Sequence, residues 1–374
     1  MKDIGEGTIR RIDWTELTPV VLLLRVFNVA LGVRVLAFGL LGSFLTTLFY
    51  LLLTSTVPLY LLLQPVPVHT TPILDFWRDI FMFPKMTIVE AGEMCYGVLE
   101  PYLMFSVWEH PKWFLWLPGV VLIWAFCGGA ICRIVALRLT VDESESTKNL
   151  FLFFRKRGIG FISSLIILSL GILCCYLPVQ IAYWLAAIPG LDLVVAILFP
   201  IPLLFAFFTV ILTLGLAVGW MLLFAAVSTD GSDGFDAISR MFSYIFQRPL
   251  HYIFYWFCSG ILGCLGLLLV LFVSTFVVDM FRDFVFTPNF SDFFTHEIAS
   301  FWISLVQSLP LAYAFAWFWT SSVAIYLLLR RSVDATPFTE VYRVAPPKVR
   351  MLPTIKQDER GAPEMKQAKP EAEV

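Results

Sequence analysis

Apolar residues in this chain gather into long unbroken runs, and polar residues crowd into the stretches between them. Five runs, at residues 35–63, 113–132, 161–188, 250–278 and 301–329, reach the length a bilayer demands. A hydrocarbon core of about 30 Å takes about 20 helical residues at 1.5 Å each. A sixth run, 191–227, is too long for one straight span, since it would extend about 55 Å. Pro200 and Pro202 each remove a backbone donor inside it, so a break is expected there. This places the span at 203–227 and leaves 189–202 as an interfacial or partly re-entrant segment. The expected fold is an all-α integral membrane protein of six transmembrane helices with interfacial amphipathic helices.

The polar stretches fix an orientation. With these six spans, twenty-two of the 26 Lys and Arg residues fall on one side and four on the other. Basic residues near span ends are retained in the cytoplasm, so both termini are expected there. The chain divides into a cytoplasmic N-terminal segment 1–34, a six-helix membrane domain 35–329 with an extracytoplasmic loop at 64–112, and a cytoplasmic tail 330–374. The tail from about 345 is expected to be disordered, because proline and charges of both signs dominate it.

Three segments read as helices lying on the membrane. Thr18 and Pro19 form a helix start before the short apolar stretch 20–31, which carries Arg25 and Asn28 and leads into the first span. Residues 148–158 bring Phe151, Phe153 and Phe154 beside Arg155, Lys156 and Arg157. This segment is expected as a cytoplasmic amphipathic helix with its rings among the headgroups, and the basic triplet also orients the third span. Residues 235–247 follow Asp233 and carry a broad apolar face, with Asp236 and Arg240 among them. Asp233 or Ser232 is expected to cap that helix, and Asp236 to pair with Arg240 one turn on.

Composition agrees with the pattern. Apolar residues make up 59% and charged residues 14%, with a mean hydropathy of +0.82. A soluble domain carries about 25% charged residues, and a net charge of -2 gives no basic footprint for nucleic acid. The first apolar stretch is too long for a signal-peptide core and is read as retained. The seven cysteines lie mostly in apolar runs, which suits small buried residues better than a disulfide framework.

Candidate chemistry is sparse. The apolar cores hold no Asp, Glu or Lys, so a carboxylate proton relay has nothing to run on. Arg133 and Arg138 stand at the end of the second span, where long side chains can snorkel to the headgroups. Gln180, Gln307, Ser304, Ser308 and Thr320 to Ser322 are candidates for a polar path or for interhelical hydrogen bonds. Gly215 and Gly219 form a GxxxG pair for close helix packing, with Gly128, Gly129, Gly260, Gly263 and Gly266 in similar roles. The run Asp230-Gly-Ser-Asp233-Gly-Phe-Asp236 fails the calcium-loop spacing and suits a helix start. No catalytic triad, zinc motif or phosphate loop is present in the sequence, so no enzyme, cofactor or metal is expected.

Three stretches together carry a resemblance. They are Gly128-Gly-Ala-Ile-Cys-Arg133-Ile-Val-Ala, Asp233-Gly-Phe-Asp-Ala-Ile-Ser-Arg240 on through Tyr244 to Arg248-Pro-Leu-His-Tyr252, and Ile325-Tyr-Leu-Leu-Leu-Arg330-Arg-Ser-Val-Asp334. In combination the chain resembles an uncharacterised family of bacterial multi-pass membrane proteins of the kind seen in planctomycete-type genomes. The resemblance implies an architecture and a bacterial inner membrane, and no activity. The expected role is a non-enzymatic scaffold or accessory subunit, with the bilayer and other membrane proteins as partners. The alternative is a transporter or channel for an uncharged or lipidic substrate, motivated by the Pro200 and Pro202 break.

Overall fold

The computed structural model describes residues 21–54, 112–285, 293–343, 355–357 and 363–365. Its main unit is all helical: α1 (Val21–Ala30), α2 (Val33–Thr54), α3 (Lys112–Thr140), α4 (Thr147–Ala186), α5 (Asp192–Leu198), α6 (Pro200–Asp230), α7 (Gly234–Gln247), α8 (Pro249–Val285), α9 (Phe293–Gln307) and α10 (Leu309–Asp334). The fold is that of an all-α membrane protein. Five helices or continuous helix pairs are long and apolar enough to cross a bilayer, and the bent pair α1–α2 makes a sixth if counted as one span. Residues 1–20, with the expected start at Thr18 and Pro19, and residues 55–111, with the end of the expected first span, most of the expected outer loop and Cys95, lie outside the described residues.

α1 meets α2 at 72°. Its buried side chains, Leu22, Leu23, Val26 and Ala30, form one stripe, while Leu24, Arg25 and Asn28 are exposed. That one-sided helix matches the expected lead-in segment. α9 and α10 make one span, Ile298–Asp334, with a single-residue turn at Ser308 and Pro310 in the first turn of α10.

One expectation about helix boundaries holds and another is corrected. The long run breaks at Phe199, between α5 and α6, and Pro200 and Pro202 take the first turn of α6, where a missing donor costs nothing. The preceding α5 is seven residues long and buries none of them, so it is not inserted into the bundle. Residues 148–158 are not a separate helix on the surface. They are the first turns of α4, which runs unbroken for 40 residues, about 60 Å. Arg155 and Lys156 are exposed there, but Phe153 is fully buried in protein instead of standing among headgroups.

Exposure divides the bundle into a belt and a cap. Large apolar side chains face outward on α4 from Ile166 to Leu185, on α6 from Ile201 to Val218, and along α8. The α6 stretch measures about 26 Å along the helix axis, close to a bilayer's hydrocarbon thickness. Beyond it α6 changes character, and Met221 to Thr229 are all buried. α8 holds to the bundle by a single stripe, Tyr252, Tyr255, Ser259, Gly263 and Gly266, and exposes apolar residues elsewhere. α3 and α10 form the centre, with Trp319 to Arg330 almost wholly buried.

The C-terminal unit, 343–374, carries β1 (Ile355–Gln357) and β2 (Pro363–Met365). They pair antiparallel with Lys356 opposite Glu364, so part of the tail expected to be disordered forms a short hairpin.

Candidate functional site

The cap is organised by two buried arginines. On α10, Tyr326, Arg330 and Asp334 recur every four residues and so share one helix face. Tyr326 and Arg330 meet Asp230, the last residue of α6. A carboxylate at a helix C-terminus opposes the helix dipole and needs cations. Asp230 accepts hydrogen bonds from the Arg330 guanidinium, from the Tyr326 hydroxyl and from Arg240 of α7 at 2.9 Å. Arg330 is 3% exposed and Asp230 11%, so this ion pair is largely removed from water. Tyr244 of α7 packs on Tyr326 and donates to Asp334. Burial first, and the Asp334 carboxylate next, push the Tyr244 phenol above its ordinary range, which keeps it a proton donor.

Arg133 of α3 forms the second centre. It does not snorkel to the headgroups as expected: the residue is 1% exposed. Its Nε donates to Glu145 at 3.2 Å in a buried ion pair, and its Nη1 donates to the carbonyls of Ser228 at 3.0 Å and Tyr342 at 2.8 Å. The guanidinium lies 4.6 Å above the Phe153 ring. Arg34 of α2 donates to the Glu145 carbonyl at 2.8 Å, so the loop between α3 and α4 is tied on both sides. Arg138, by contrast, is exposed.

Both arginines hold one strand of chain. After α10 the segment 335–342 returns across the end of α6, and it is called the strap below. Arg330 donates to its carbonyls at Pro337 and Glu340. The Tyr342 amide donates to Thr229 at 2.8 Å. Ser228 and Thr229 thus have their carbonyls, orphaned at the helix end, satisfied by an arginine and by the strap. Gly231 makes this possible. Its φ is +65° and a Cβ there would lie 2.6 Å from the Tyr342 ring. Arg157 covers the other side of that region, 5.3 Å from the Tyr342 ring centre.

Three separated stretches therefore converge: 128–136 of α3, 233–244 of α7 and 325–334 of α10. The acids of the run 230–236 each find a protein role. Asp230 binds the arginines, Asp233 caps α7 by accepting from the Asp236 amide at 3.1 Å, and Asp236 pairs with Arg240 at 3.1 Å, as the sequence predicts. Gly215 and Gly219 serve close packing as expected, and their partners are the α7 side chains Phe242, Met241 and Ile245.

Beside the cap lies a cavity of about 210 Å³ between α2, α3, α6 and α10. Trp124, Trp220, Trp319, Phe315 and Phe318 form most of its wall, with Ser43, Thr46 and Thr47 on one side. Trp220 stacks between Trp124 and Phe318, with centroids 5.3 and 5.2 Å apart. The Trp124 indole donates to Thr46 at 3.2 Å, whereas the Trp319 indole N–H is buried with no acceptor among the described residues. Gln180 and Gln307 do not line this cavity. Gln180 accepts from Tyr176 on an exposed face, and Ser304, Ser308 and Thr320 to Ser322 bond carbonyls of their own helices. Among the described residues they form neither the polar path nor the interhelical bonds considered from sequence.

No protein-family model, curated protein or solved structure matches the chain.

Sequence reading missed Asp230, Glu145, Tyr326, Arg330 and Tyr342 as site residues. The four-residue spacing on α10 was a usable signal. Glu145 and Tyr342 sit in irregular chain and had none.

Proposed function

We propose that this protein is a non-enzymatic scaffold or accessory subunit of a bacterial inner membrane, with its cap and both termini in the cytoplasm. The observation that carries the reading is the strap. Two arginines, removed from water at the cost of desolvation, are spent on fixing where the chain leaves the bundle. A rigid exit suits a protein that presents a tail to partners at a defined place. The network lies beyond the belt, since Asp230 is about 18 Å along α6 from Val218. It therefore suits structure better than ion passage through the hydrocarbon. The transporter reading has less support, because α5, which precedes the break at Phe199, buries no residue and lines no part of the aromatic cavity.

The test is crosslinking in intact membranes, then purification in mild detergent, for the full chain and for a variant ending at 343. Neighbours captured by the full chain and lost from the truncated one are expected. A lone monomer in both, with no crosslinked neighbour, would overturn the scaffold reading.

A further inference from the structure

The aromatic cavity is a site of a different kind from the cap, and the argument for its occupant is independent of the scaffold reading. Among the described residues its lining carries no charged side chain, and three indoles and two phenyl rings surround it. An apolar cavity of about 150 Å³ in a soluble protein stays dry and takes up benzene. At about 210 Å³ this one accommodates a segment of a single hydrocarbon chain and is too small for a whole lipid. Trp124, Trp220, Leu311, Ala314, Phe315 and Phe318 are each only half-buried, so among the described residues the cavity opens to the outside of the bundle.

Depth selects the ligand. Trp220 follows Val218, the last residue of the exposed apolar belt on α6, by two positions. Trp319 contacts Trp220 edge to face at 5.6 Å, so its indole stands at the belt's edge. From there the α10 wall runs about 12 Å inward, from Trp319 to Leu311. In a bilayer the belt's edge is where hydrocarbon gives way to ester groups, and the interior holds acyl chains. Trp319, 1% exposed, lines the cavity at that level, and its buried indole N–H has no acceptor among the described residues. A buried donor without an acceptor is costly and calls for one.

We propose that the cavity binds one acyl chain of a membrane phospholipid, with the ester carbonyl accepting from the Trp319 indole N–H and the chain descending past Phe315 to Leu311. The Trp124 indole is already bonded to Thr46 and the Ser43 hydroxyl to the Leu40 carbonyl, so neither of these donors is left for the ligand.

The experiment uses the full chain in nanodiscs of phosphatidylethanolamine and phosphatidylglycerol, doped with a phospholipid carrying a diazirine in one acyl chain. After irradiation, adducts are mapped by peptide mass spectrometry. Adducts on 43–47 and 311–319 are expected in addition to those on the belt of α8. Ala314→Phe, which fills the cavity, should lower the cavity adducts about tenfold and leave α8 labelling unchanged. Trp319→Phe keeps the ring and removes the donor, and should lower them about threefold to tenfold. Folding of both variants is checked by melting. If Ala314→Phe does not fold, Trp319→Phe alone decides. Cavity labelling unchanged in the folded variants, or adducts confined to α4 and α8, would overturn the proposal. So would labelling by a diazirine fatty acid and not by the phospholipid.

Discussion

Replacing Arg330 by Met tests whether the cap is held by charge or merely filled by it. Methionine retains much of the apolar volume and removes the guanidinium. Arg330 is 3% exposed and its partner Asp230 11%. Breaking one side of a buried ion pair costs about 3–5 kcal/mol, because the remaining charge is left uncompensated. Asp230 keeps Arg240 and Tyr326, which moves the expectation toward the lower end for the pair itself. The strap also loses its donor at the Pro337 and Glu340 carbonyls, although freed carbonyls regain water. The net expectation is about 3–4 kcal/mol. The assay is reversible unfolding in mixed micelles with sodium dodecyl sulfate, with hydrogen exchange read at single amides. The Tyr342 amide, bonded to Thr229, should lose protection well before the Gly231 amide, bonded to Val227. Arg331→Met is the control. Arg331 is half-exposed and stacks on Phe338 at 4.6 Å, an interaction of about 0.5–1 kcal/mol. If the Arg330 variant loses no more stability than the Arg331 variant and Tyr342 stays protected, the account of the strap is wrong.

Gly231→Ala should destabilise by about 2 kcal/mol in the same assay, from the left-handed backbone and the Tyr342 contact together. Adding Tyr342→Ala should then cost less than its effect in the wild-type background. The Tyr244 phenol is raised in the folded state, so its contribution is present below the unfolded value of about 10 and is lost as pH rises through the folded one. Melting temperature should be flat from about pH 7 to about pH 9, then fall more steeply in wild type than in Tyr244→Phe. In intact cells, a cysteine introduced as Ser146→Cys in a cysteine-free background should resist an impermeant thiol reagent until lysis. Labelling from outside would reverse the orientation assigned to the cap.

The sequence by itself determined the helices and their class. A run of apolar residues long enough to span a bilayer leaves the backbone no alternative to helix, so α3, α4, α6, α8 and α10 were legible. Capping chemistry is equally local, which is why Asp233 and the Asp236–Arg240 pair lie where the spacing puts them. Boundaries were less legible. Hydropathy marks where lipid could begin, and α4 continues outward past Phe161 because Phe153 and Leu150 bury against protein instead. Only the tertiary structure decided the fate of the arginines. Arg133 and Arg138 look alike five residues apart on one helix, yet one is buried on Glu145 and the other meets solvent. What separates them is which face of α3 meets α6 and the strap, and the strap's Tyr342 lies 209 residues further along the chain. The aromatic cavity was hidden for the same reason. Trp124, Trp220 and Trp319 are unremarkable in three separate apolar runs, and packing alone brings them to one wall.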